Sequence, residues 1–145
     1  MLTIDGTSKF NPETLTHSAI VEGRCGEKHI GRVFWNDLLV MVLARGFGKL
    51  VAEHGDRQKA IATLAKYTGC KLRSSPATSY KAIPNTGLWV GGQDAPDVWL
   101  ATRSVSELLD VEFDLTVLWP AKPGAAHSNM RGRVTYVPVC RELLA

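Results

Sequence analysis

The 145-residue chain is 45% hydrophobic and 21% charged, with a net charge of +3. That balance belongs to one folded globular domain, 1–145, and excludes a disordered tail, a collagen-like chain and a coiled coil. A chain of this length buries roughly two thirds of the surface its unfolded state exposes, so it needs no disulfide or metal staple to fold.

Residues 1–16 read as irregular, with turn chemistry at Asp5-Gly6 and Asn11-Pro12. Residues 18–24 and 28–34 read as a hairpin around Cys25-Gly26. Asn36 or Asp37 can cap the next helix, because a short side-chain oxygen accepts from the free amides of a first turn. Leu38, Leu39, Val42, Leu43, Phe47, Leu50 and Val51 then recur at helical spacing. Gly46 and Gly48 each weaken this helix by ~1 kcal/mol relative to alanine, and close packing against a neighbour would explain them. Gly55 closes the helix. Asp56 caps a second one with Ala60, Ile61, Leu64 and Ala65 inward, and Gly69 ends it.

The middle of the chain is β-like, with short strands expected at 70–74, 87–92 and 97–101. Ser104-Val-Ser-Glu107 has the form of a capping box and opens a short helix with Val105, Leu108 and Leu109 inward. Phe113, Leu115, Val117 and Trp119 alternate as in a half-buried strand. Residues 134–139 form the last strand, with Pro138 placing it at an edge or at its end. The stretch 120–131 is long for a hairpin connection and reads as a functional loop. The expected class is α+β: a helix pair packed on a small, mainly antiparallel sheet, with a short third helix.

The longest apolar run, 38–44, has seven residues, far short of the ~20 that a spanning helix needs, so no membrane partner is expected. The N-terminus shows no basic and apolar targeting pattern. Cys25, Cys70 and Cys140 are widely spaced, as suits reduced thiols in a cytoplasm. The cysteines and His17, His29, His54 and His127 form no pairs at metal-ligand spacing, so no metal or other cofactor is expected. Neither a GxxxxGK[ST] nor a GxGxxG segment occurs. Pro96-Asp97 could open a nuclease-type carboxylate motif, but no acidic residue stands two before a lysine between 98 and 120.

Charge is segregated along the chain. Residues 1–55 are neutral, 56–81 carry +5, 82–118 carry −5 and 119–145 carry +3. The ordinary account of such runs is a solvated face. The functional account is a basic face for a polyanion. On that account Lys66, Lys71, Arg73 and Lys81 contact phosphates, with Tyr67 and Tyr80 interleaved, and Arg131 and Arg133 add auxiliary contacts. Four tryptophans are many for this length. Trp89 and Trp99 flank a glycine-rich turn and are candidates for stacking on a base or anchoring an interface, against the commoner role of core packing.

The segment Lys81-Ala-Ile-Pro-Asn-Thr-Gly-Leu-Trp-Val90 resembles one in the C-terminal DNA-binding domain of the SeqA family, modulators of bacterial replication initiation. The resemblance spans about 55–112 and is close only in those ten residues. It implies recognition of methylated duplex DNA. The family's basic loop corresponds loosely to Lys71 and Arg73, and its asparagine-rich turn to Gln93 and Asp94, where no asparagine stands. The reading is therefore a non-catalytic cytoplasmic DNA-binding protein of bacterial or phage type, a replication or transcription modulator, with a homodimer left open. One alternative is a small phage- or plasmid-type accessory or inhibitor protein that binds a protein partner. A second is a small enzyme whose site assembles only in the fold, from His127, Asp94, Arg103 or similar groups.

Overall fold

The computed structural model describes residues 2–5 and 10–138. Cys140 and the predicted strand residue Val139 lie outside them, as does Gly6 of the first predicted turn. The class is α+β, with three α-helices and two sheets. The larger sheet contains β1 (Leu2–Asp5), β2 (Ala19–Cys25), β3 (Lys28–Ile30), β7 (Phe113–Trp119) and β8 (Met130–Tyr136) in the order β1-β8-β7-β2-β3. Only the β1–β8 pair is parallel. The smaller sheet is antiparallel and has the order β4-β6-β5, from β4 (Leu72–Arg73), β5 (Tyr80–Ile83) and β6 (Leu88–Gly91).

Strand alternation decides how the larger sheet is used. Phe113, Leu115, Val117 and Trp119 of β7 are all buried. They share one core with the helices α1 (Trp35–His54), α2 (Arg57–Thr68) and α3 (Ala95–Leu109). The intervening positions of β2, β7 and β8 carry Arg24, Asp114, Arg131 and Arg133 on the opposite face. Helices cover one face, and the other is polar. Burying four large side chains from one strand stabilises by several kcal/mol, since each contributes roughly 1.5–3 kcal/mol. A one-residue slip of β7 would lose all of it.

The helix pair forms as expected around a corner of two residues. Gly55 and Gly69 adopt left-handed φ of +63° and +71°, and the Asp56 side chain accepts from the amides of Gln58 and Lys59. The packing expected at Gly46 is present: an added Cβ would lie 3.3 Å from Leu64 and 3.5 Å from Val105, so α2 and α3 both approach α1 there. Gly48 faces open space instead.

Several expectations are corrected. Helix α1 begins at Trp35, so neither Asn36 nor Asp37 is its cap; Asp37 is the third helical residue and accepts from the Phe34 amide at 3.1 Å. The expected strand at 97–101 and short helix from Ser104 are one 15-residue helix, α3. Pro96 and Asp97 occupy its first turn, where proline's fixed φ and an acidic side chain both suit a helix start. Val98, Ala101, Val105 and Leu108 lie inward at helical spacing, and Ser104 is an interior residue bonded to the Leu100 carbonyl. Residues 1–16 are not irregular throughout, since they hold β1 and a 3₁₀ turn, Pro12–Leu15, capped by Asn11. The strand at 80–83 went unpredicted. Strand β8 is flanked by β1 and β7, so it is not an edge, and it ends before Pro138.

Asp37 also receives the Lys81 ammonium. That hydrogen bond, helped by the Phe34 amide, holds its carboxyl below the ordinary range. A depressed folded pKa means that the contribution is complete above the unfolded value of about 3.9 and is lost as pH falls through the lower folded value. Replacing Asp37 with Ala is expected to cost roughly 0.5–1 kcal/mol in urea unfolding at pH 7. The difference from wild type should narrow as the titration is repeated towards pH 2. Replacing Gly46 with Leu should cost roughly 1–3 kcal/mol by overpacking the three-helix contact, read from the same unfolding curves.

Candidate nucleic-acid interface

The smaller sheet is held to the helices at several points. Lys81 of β5 reaches Asp37 of α1. Beyond β6, the Asn36 side chain makes two hydrogen bonds of 3.0 Å to the Gln93 backbone, donating to its carbonyl and accepting from its amide. At the other end Thr68 accepts from the Cys70 amide at 3.2 Å, and buried Cys70 leads the chain into β4. The β5–β6 hairpin turns through 84–87, with Asn85 and Gly87 at positive φ. Buried Thr86 closes the turn by donating to the Ile83 carbonyl at 2.8 Å and accepting from the Leu88 amide at 3.1 Å. The ten residues that carry the family resemblance are thus β5, this turn and most of β6.

Register then assigns the two faces. Leu72, Val90 and Lys81 are cross-strand neighbours, and with Leu88 and Ile83 they lie on the face towards the core. Arg73, Trp89 and Ala82 form the row on the opposite face, and Tyr80 stands across from Gly91 in the next row. Lys71 precedes β4 on the same side as Arg73 by alternation, and both are exposed. The Arg73 guanidinium lies over the Tyr80 ring, 5.4 Å from its centroid, and also reaches Ser75 at 3.5 Å. Tyr80 in turn lies across Gly91, where an added Cβ would be 3.6 Å from the ring. Among the described residues no ring or cation stacks on Trp89.

The predicted site residues are therefore sorted. Lys71, Arg73 and Trp89 are brought together. Lys66 is exposed in the last turn of α2, one loop away. Lys81 is turned to the other face and neutralised by Asp37, so it does not join them. Arg131 and Arg133 stand on β8 in the larger sheet. Arg133 holds Asp114 through two nitrogens, its Nε at 2.9 Å, and this bond raises the guanidinium's pKa further. Arg133 borders a shallow cavity of about 250 Å³ with Arg24, His29 and Glu22 rather than the Arg73 row. Trp99 is not a stacking or interface residue: it is fully buried on α3, with Phe10 edge-on at 6.4 Å. The missed members of the row are Ala82 and Gly91, whose signal was the alternation of 80–83 running into Pro84.

Asp94 and Arg103 lie nine residues apart along α3, roughly 13 Å at the helical rise. Arg103 stacks on Tyr136 at 5.2 Å, whereas His127 meets the Trp119 ring edge-on at 5.0 Å. No group of three or more His, Cys, Asp or Glu side chains among the described residues could hold a metal ion. No helix there is long and apolar enough to cross a membrane.

Trp35, Trp99 and Trp119 are 8%, 0% and 0% exposed, so Trp89 alone among the four tryptophans meets solvent appreciably. Acrylamide is expected to quench one component of the native fluorescence, and Trp89→Phe should remove it while leaving the emission of the buried three.

Comparison with protein-family models, with curated proteins and with solved structures finds no match to this chain.

Proposed function

We propose that the chain binds DNA through the outer face of the smaller sheet, in a role of recognition rather than catalysis. The observation that carries this reading is the Arg73–Trp89 row, which sets an arginine from the most basic stretch of the chain beside a partly open indole. Arginine and lysine supply phosphate contacts, and an aromatic ring supplies a surface for a base. The ten-residue likeness to the SeqA family falls on the same hairpin and agrees with a nucleic-acid ligand.

The ion pairs set the expected magnitude. With Lys81 and Arg133 engaged by carboxylates, the cations remaining on this side are Lys66, Lys71 and Arg73. Three phosphate contacts give a log–log salt slope of about −2.7 on a duplex, half of what all six predicted cations would give. Binding to a labelled generic duplex, followed from low to physiological salt, should weaken linearly with that slope. The double substitution Lys71→Glu, Arg73→Glu should weaken binding at least tenfold at low salt and flatten the slope. The pair Arg131→Glu, Arg133→Glu should leave it nearly unchanged. Equal affinity in wild type and the first variant would end the assignment of this face.

A further inference from the structure

The proposed face differs from a simple phosphate-binding patch in one respect: it carries an indole, Trp89, that is partly open to solvent. Its neighbour on β5 is Ala82, its neighbour along β6 is Gly91, and Gly87 precedes it in the turn. Directly across from it on β4 is Arg73, whose guanidinium lies over Tyr80, the ring that covers Gly91. Built this way, the site offers one partly open aromatic surface with cations at its side.

We infer that the ligand of this face is a single-stranded nucleic acid, one base of which stacks on Trp89 while Lys71 and Arg73 hold the flanking phosphates. The inference rests on the DNA-binding reading and sharpens it. In a duplex both faces of every base are covered by their neighbours, so an indole plane has nothing to stack on unless a step is opened. An unpaired base has a free face and accepts an aromatic partner whatever its identity. The scale agrees. Strands stand ~4.8 Å apart, so the row from Arg73 to Ala82 spans roughly 10 Å, room for one stacked base and its two phosphates rather than for a groove of duplex. Charge complementarity favours a polyanion over a protein partner, since residues 56–81 carry six basic groups and one acidic group.

The test compares the full chain's affinity for a labelled oligothymidylate of about 12 nucleotides with that for a duplex of equal length at the same low salt. The single strand is expected to bind more tightly and to quench the Trp89 fluorescence component. Trp89→Ala should lower single-strand affinity between roughly 5-fold and 150-fold while changing duplex affinity little. Trp89→Phe, which keeps a ring and conserves the fold, should recover much of that loss. Lys71→Glu with Arg73→Glu should weaken both ligands. A duplex that binds as tightly as the single strand, with neither sensitive to Trp89→Ala and no quenching in wild type, overturns the single-strand inference and leaves the DNA-binding reading standing. Binding of neither oligonucleotide at low salt overturns both, and the same face would then be tested against protein partners.

Discussion

Leu88 and Val90 of β6 are buried to within 1% of complete, and successive side chains of a strand point to opposite faces. Trp89 between them must therefore face outward. The candidate interface depends on this constraint. Burial of the two aliphatic side chains contributes roughly 3–6 kcal/mol, on the usual scale of 1.5–3 kcal/mol for each. Turning the strand over would bury one indole and expose both aliphatic groups together with the register to Ile83 and Leu72. The core wins that comparison, and a partly open tryptophan on the outer face is its consequence. Thr86 and the positive-φ residues Asn85 and Gly87 hold the register by fixing the turn four residues long.

The same alternation divides the charges. Lys81 shares the face of Val90 and meets Asp37 at the start of α1, where it also links the small sheet to the helix. Both partners are a third or more exposed, so the pair is worth little as stability and more as a tie. On the larger sheet Arg133 is held by Asp114 across the β7–β8 register. Both cations are thus occupied by carboxylates on neighbouring elements. Arg73 is different, since its partner is an uncharged ring and its full charge stays available to an anion. What separates the candidate cations is the nature of each partner, and a count along the sequence cannot see it.

Much of the fold was legible because its signals are local. The Gly55-Asp56 corner and the alternation of 113–119 each follow from residues within one or two turns of one another. The failures share a cause as well. The segment 97–101, Asp-Val-Trp-Leu-Ala, is apolar enough to pass for a strand, and Ser104-Val-Ser-Glu107 imitates a helix start. The decisive signals were Pro96 in the first turn and the inward series Val98, Ala101, Val105 and Leu108, which run across both pieces. Trp99 was misplaced with them, since in the helix it points into the core. Strand β5 was missed because its stability comes from pairing with β6 rather than from its own residues. The cationic residues of the site were visible in the sequence, but which of them shared a face was set by pairings across 44 residues for Lys81 and Asp37 and 19 for Arg133 and Asp114.

The ten-residue pattern that suggested a DNA-binding family also has an account in the hairpin itself. Pro84 and Thr86 belong to the turn, Leu88 and Val90 to the core, and Lys81 to the tie with α1. Each of these positions is fixed by folding, whatever the sheet's outer face does. Folding places no such demand on Ala82, Gly91 or the openness of Trp89. A larger residue at 82 would cover the indole and gain apolar burial, so a sheet selected for stability alone would close that surface. Small residues on two sides and an arginine on the third leave the ring partly open. The environment of Trp89, more than the number of basic residues, is therefore the ground on which the proposed binding face rests.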